Sequence, residues 1–270
     1  MGSFAWAAVP PEADAIHRAL QRMYNVDYAA ANRILEEHIA AHPADPLGPA
    51  FRGASDLFFE LTRLQVLEGE FFADDKRLVE KKKLRPDAKL RLNFDKQVAR
   101  ARQLAEKRLA QKAEDPDALF ALCITSGLAM DYGALIEKKQ LVSLTHAKDA
   151  HRYALRLLKV DPNYTDAYMT TGFTEYLLGS LPFFLRWFVR FEESTGDKNL
   201  GLQRLQKVAE KGKYLGPFAR IMLSLAHLRE KRYLDCEKLL GGLARDFPEN
   251  PLFKKELQKV AELRQSTSRR

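Results

Sequence analysis

Cysteine is nearly absent from this chain: Cys123 and Cys236 are the only two among 270 residues. Neither stands in a CxxC or zinc-type spacing, which excludes a disulfide framework and a cysteine-built metal centre. Both read as small buried hydrophobes, and no spacing points to a bridge between them. No uninterrupted run approaches the ~18 apolar residues needed to span a bilayer. The signatures of common chemistries are missing as well. There is no Walker motif, no dinucleotide fingerprint, no GxSxG and no HExxH. The histidines are His17, His38, His42, His146, His151 and His227. His38 and His42 have a metal-capable spacing on one helix, but no third ligand accompanies them, and a helix-end position accounts for both. The sequence therefore calls for no cofactor and no metal, and the chain is not read as an enzyme. Asn163-Tyr164-Thr165 matches a glycosylation acceptor but falls on a short turn between helices.

Charge of one sign is not spread over the chain. The net charge is +8, yet residues 76–91 (KRLVEKKKLRPDAKLR) hold eight Lys or Arg against Glu80 and Asp87. The tail RQSTSRR adds three more, leaving a nearly neutral body. No aromatic interleaves Lys81, Lys82 and Lys83, so base stacking is unsupported and nucleic acid is not an expected partner. This basic patch reads as a solvated extension, with an acidic partner or an anionic lipid surface as the functional alternative.

What is present points to helices. Apolar residues make up 46% and charged residues 30%, with 14 Gly and 12 Pro, a composition too apolar for disorder. Residues 1–11 (MGSFAWAAVPP) are either a disordered start or the remnant of a signal peptide, since Ala5-Trp6-Ala7 fits a cleavage site while the charged and apolar regions before it are missing. The first alternative implies a cytoplasmic protein, the second an exported one.

A spacing recurs. Tyr28, Ala31, Leu35 and Pro43 lie in VDYAAANRILEEHIAAHP, and Tyr233, Cys236, Leu240 and Pro248 repeat their offsets in KRYLDCEKLLGGLARDFP. Two further amphipathic helices close at Pro116 and Pro162. In VDPNYTDAYMTTGFTEY, Gly172 follows Tyr168 by four residues inside a helical pattern, where glycine costs about 1 kcal/mol and asks for a packing reason. With these residues the chain resembles the tetratricopeptide repeat family over most of its length. The resemblance implies an all-α, right-handed superhelix of four or five antiparallel helix pairs. It makes 12–265 one domain, with PLFKKELQKVAEL as a capping helix and 266–270 as a basic tail. Proline spacings longer than the family's repeat of about 34 residues place inserts near 70–93, 131–142 and 180–198. A second resemblance covers about thirty residues: Gly179-Ser180-Leu181-Pro182, Gly196-Asp197 and Gly201-Leu202-Gln203-Arg204-Leu205. It is similar to bacterial exported tetratricopeptide proteins, and to a eukaryotic group linked to lipid droplets and inclusion-body clearance.

The family's fold implies a concave face lined by the first helix of each pair. Here the inward offsets fall on Asp166, Met169, Phe173, Tyr176 and Leu177, then on Phe218, Ile221, Leu225, Leu228 and Arg229. This mostly apolar lining, without a Lys/Asn carboxylate clamp, suits an apolar or amphipathic peptide from a protein partner, or one of the chain's own inserts. The expected function is that of a non-enzymatic scaffold or adaptor. The alternative comes from LPFFLRWFVRF (181–191), where Phe184, Trp187 and Arg190 belong to an aromatic and arginine pattern. Such a pattern fits a packed insert, or an interfacial helix of a membrane-surface protein holding a hydrophobic ligand or lipid.

Overall fold

The computed structural model describes residues 14–67, 84–181 and 189–268. Among them the chain forms eleven α-helices: α1 (Ala15–Tyr24), α2 (Tyr28–Ala41), α3 (Leu47–Arg63), α4 (Ala88–Gln111), α5 (Pro116–Asp131), α6 (Gln140–Val160), α7 (Tyr168–Ser180), α8 (Lys198–Lys211), α9 (Gly216–Arg229), α10 (Tyr233–Asp246) and α11 (Pro251–Ser268). A π-helical turn, Tyr132–Glu137, extends α5, and a 3-10 turn, Thr165–Ala167, leads into α7. The protein is all-α, its helices packed in sequential antiparallel pairs from α1–α2 to α9–α10, with α11 against α10.

Aspartate starts five of these helices. Asp14, Asp27, Asp87, Asp115 and Asp197 each accept a hydrogen bond from a backbone N–H two or three residues ahead, which satisfies donors that the first helical turn cannot use internally. The connections from the second helix of one pair to the first of the next are short and alike. Asp45, Asp115, Tyr164 and Asn250 each donate their backbone N–H to the carbonyl three residues earlier, at 3.0–3.1 Å. Pro43, Pro162 and Pro248 stand inside such turns, whereas Pro116 is the first residue of α5 rather than a closing residue. There its missing N–H is no loss.

Within pairs the ends differ. α1, α3 and α9 finish in the same motif, in which a left-handed residue (Val26, Gln65 or Lys231, φ 57–59°) follows the cap. The next N–H then reaches back to the helix: Asp27 to Arg22, Val66 to Leu61, and Arg232 to His227. Since successive helices reverse direction, these ends gather on one rim of the molecule and the short turns on the other. Contacts between neighbouring pairs agree: Tyr28 shares a 2.7 Å hydrogen bond with Thr62, and Lys198 pairs with Glu230 at 3.0 Å.

Gly172 has its packing reason. A Cβ there would lie 2.8 Å from the Cβ of Arg204 and 3.1 Å from the carbonyl of Gly201. A Cβ on Gly201 would come within 2.5 Å of the Tyr176 nitrogen. The two glycines let the backbones of α7 and α8 meet, which no other residue at either position permits without displacement.

The stretch Pro116–Glu137 is long and apolar enough to cross a membrane, yet it is mostly buried in the protein as its central helix. From Leu47 to Leu57 every residue of α3 is buried too. First helices buried on all sides mean that their inner faces pack on one another. Tyr214 joins them, its ring 5.2 Å from Phe51 and 6.1 Å from Phe120, while Phe58 meets Phe218 edge-on at 5.8 Å. The two ends of the helix array also touch. Tyr214 donates to Asp14 at 2.9 Å, Tyr24 packs on Phe247 at 5.2 Å, and Asn250 donates to the Tyr24 carbonyl at 2.8 Å.

Candidate interaction surface

The inward offsets named from the sequence divide between buried, half-buried and exposed positions, Leu177 being 44% exposed. Asp166, Met169 and Tyr176 are buried, and Phe173, Phe218, Ile221 and Leu225 are half-buried. Arg229 is exposed at the end of α9. Asp166 illustrates the change of role. Its carboxylate accepts from the backbone N–H groups of Lys213 (2.9 Å), Tyr214 (3.1 Å) and Leu215 (2.7 Å). Burial pushes its pKa up, and these three donors pull it back. The side chain thereby fixes the turn between α8 and α9 and holds Tyr214 in the core. Lys81, Lys82, Lys83, Phe184 and Trp187 lie outside the described residues. Arg190 is exposed on the segment returning to α8.

All three long connections leave from one rim. They follow α3, α5 and α7, the first helices of the three middle pairs. Of the expected inserts, 88–93 belongs to α4 and 140–142 to α6, while 70–83 and 182–188 lie outside the described residues. Two of the connections return by the same device. Glu60, 1% exposed, accepts the Asp87 N–H at 2.7 Å and is clasped by Arg63 at 2.7 and 2.9 Å. Glu175, also 1% exposed, accepts the Asp197 N–H at 2.8 Å and the Thr195 N–H at 3.3 Å. Asp87 and Asp197 in turn each cap two N–H groups of the next helix. A buried carboxylate near the end of the first helix therefore seats the cap of the second. Gly196, at φ +69°, tightens the second return, since a Cβ on Gly179 would lie 2.7 Å from its carbonyl.

Between these two returns sits the π-helical turn. Arg91 lies 4.1 Å from the Tyr132 ring centre and pairs with Glu137 at 2.9 Å and Asp95 at 2.7 Å. It ties the start of α4 to the turn after α5. Asp131, at the end of α5, has its carboxyl pushed up to about 7 by burial.

Exposed large apolar side chains concentrate here. Among the described residues they are Phe59, Leu92, Leu141, Val142, Leu177, Leu234 and Leu263. Six lie near the last turn of a first helix or the first turns of a second one, which is the rim of the long connections, and Leu263, late in α11 beside the Arg264–Glu237 pair at 2.7 Å, lies toward the same rim. The opposite rim has none among the described residues. It carries instead an open depression of about 460 Å³ lined by His42, Pro43, Asp45 and Arg108. A smaller cavity of about 230 Å³, lined by Leu178, Val189, Phe191 and Thr195, lies at the root of the 181–191 insert.

Reactive groups are subdued. Burial pushes the thiols of Cys123 and Cys236 to about 11 and 12, so neither supplies thiolate at neutral pH. His151 and His227 are lowered by burial, and His151 is engaged with the Glu192 carbonyl at 2.8 Å. Sequence reasoning missed Glu60, Glu175 and Asp131. A signal existed for Glu175, the single acid in the otherwise uncharged α7 (YMTTGFTEYLLGS), because a lone carboxylate on a buried helix needs donors. Compared with known proteins, the chain matches no family model and no curated entry.

Proposed function

We propose that this protein is a non-enzymatic scaffold of the tetratricopeptide type, five helix pairs and a cap, which docks its partner on the rim of the long connections. The observation that carries this reading is the placement of the exposed large apolar side chains, among the described residues, on or toward that rim. The inner offsets favour it by elimination: Asp166, Met169 and Tyr176 are committed to the fold, so the groove that other such arrays offer is filled by the array itself. The tetratricopeptide resemblance makes a protein or peptide the expected class of partner. The non-enzymatic part rests on the missing sequence motifs and on thiols held protonated.

Site-specific photocrosslinking tests it. A photoreactive residue at Leu177 or Leu234 should yield partner adducts in cell extract, and one at Glu114, on the opposite rim, or at Phe173 should not. Adducts from Phe173 with none from the rim would return the docking site to the inner face and overturn the reading. The alternative of a small hydrophobic ligand draws support from the cavity at the root of the 181–191 insert. At about 230 Å³ it is smaller than most ligand pockets, which run from about 300 to 1,000 Å³, and it ranks second.

A further inference from the structure

We infer that the middle of this rim is a membrane-docking face, with Leu92, Leu141 and Val142 entering a bilayer and Lys138 and Lys139 meeting anionic headgroups. The inference rests on the rim being the docking surface and names what it docks on.

The apolar residues stand at a tip rather than in a groove. Leu141 is 84% exposed, Leu92 68% and Val142 52%. Leu141 and Val142 are the second and third residues of α6, directly after the Lys138–Lys139 turn, and Leu92 is the fifth residue of α4. Arg91 ties the start of α4 to the π-helical turn through Tyr132 and Glu137, and α6 begins three residues after that turn, so the segments that carry the three apolar side chains are joined. The two cavities described above lie elsewhere, at His42 and at Phe191. A folded protein partner buries such residues by matching their shape, usually around a central pocket. A bilayer needs no pocket, because acyl chains conform to whatever protrudes, and isolated apolar residues on a convex tip suit it better.

Charge and dipole agree with the assignment. Lys139 is 61% exposed and pairs with Glu137, on the same turn, at 3.2 Å. Lys138 is held left-handed at φ 59° in that turn, an uncommon conformation for a lysine. α6 begins without a side-chain cap, so its first N–H groups and positive dipole end face the same tip, where phosphate oxygens would complete them. On the opposite rim the turns present Asp45, Glu114, Asp161 and Glu249 together with Lys112 and Lys213, and no exposed large apolar side chain among the described residues, so the apolar side chains are what would orient the insert rim toward a bilayer.

Vesicle flotation of the full chain decides it, with phosphatidylcholine vesicles alone or with about 30% phosphatidylserine. The wild type should float with the anionic vesicles, and less so at high salt. Leu141→Asp with Val142→Asp should weaken flotation about a hundredfold, since charge at the insertion depth is strongly disfavoured. Lys138→Glu with Lys139→Glu should weaken it about tenfold or more. Ala44→Asp, on the opposite rim, should float as the wild type does. All five positions lie on exposed or partly exposed surface, so unchanged thermal melting is the check that each variant folds. Wild type that floats with neither vesicle, or a Leu141→Asp/Val142→Asp variant that floats unchanged, overturns the inference. Sedimentation in parallel identifies a different occupant: a dimer dissociated by the double aspartate variant, without flotation, replaces the membrane with a second copy. Rim photocrosslinks to a protein in the absence of flotation would sink the membrane inference while leaving the scaffold reading intact.

Discussion

The two rims of the molecule are made from the same helices and solve opposite problems. On the rim of short turns, four of the five connections repeat one hydrogen bond, and the fifth is locked by the Asp166 carboxylate. On the other rim three helices end in one shared left-handed motif, yet three connections are long, and the exposed apolar side chains crowd there. A connection that must seat the next pair has little freedom, because a change in its length would misplace every later helix. A connection within a pair can lengthen without that penalty once both roots are pinned, and Glu60 and Glu175 pin them. Loop closure itself costs only about 0.6 kcal/mol per doubling of length. The difference teaches where such an array can acquire new surface without losing its core.

If that contrast is right, the largest effect should come from the short-turn rim. Asp166→Ala leaves the N–H groups of Lys213, Tyr214 and Leu215 without their acceptor inside the protein. It should cost about 3–5 kcal/mol by denaturant unfolding. Glu175→Ala on the long-connection rim removes the acceptor of Asp197 and Thr195, whose segment can reach water, and the carboxylate 3.9 Å from the partly exposed Arg204. We expect roughly 1–3 kcal/mol there. Equal losses at the two sites would erase the distinction between a locking rim and an elaborated one.

A pH experiment sharpens the comparison at the middle of the long-connection rim. With its folded pKa at about 7, above the usual ~3.9 of an unfolded aspartate, Asp131 holds its proton more tightly in the native state. The stability it contributes is fully present below about pH 4 and is lost as pH rises through 7. Asp131→Asn removes that dependence. The variant should therefore melt at nearly the wild-type temperature at pH 4 and higher than wild type at pH 8, by several degrees. A difference that does not change with pH would place Asp131 in water.

The smallest expected effect is a gain. Lys231 is exposed and left-handed at φ 59°, a conformation that costs a non-glycine residue about 1–2 kcal/mol. Glycine relieves it and loses part of the benefit to unfolded-chain entropy. Lys231→Gly should stabilise by about 0.5–1 kcal/mol, and destabilisation would mean that the shared helix-ending motif is misread. Val26 is a poorer test, because its side chain also packs on the core.

Much of the fold was legible in the residues. Apolar spacing and the prolines near each turn marked the helices, since these features act within a few residues of where they sit in the chain. Gly172 was legible as a packing glycine because its propensity cost had to be offset by contact. The partner surface was not. Sequence offsets put Asp166, Met169 and Tyr176 on an inner face, and they do lie inward, but whether an inner face meets solvent depends on how tightly the pairs curl. That angle is set by the contacts of Asp14 with Tyr214 and of Tyr24 with Phe247, residues some two hundred positions apart.

By itself, the sequence determined an all-helical chain whose helices reverse at short, capped turns, together with the places where long connections interrupt them. Local propensity and hydrogen bonding decide such features, and each is written in a handful of neighbouring residues. Only the tertiary structure decided that Phe51, Phe120 and Tyr214 meet in the core, that Glu60 and Glu175 serve the same purpose, and that Leu92, Leu141 and Val142 stand exposed on one rim. Those outcomes depend on distances between residues remote in sequence, and on whether an apolar side chain finds another to pack on or is left facing water.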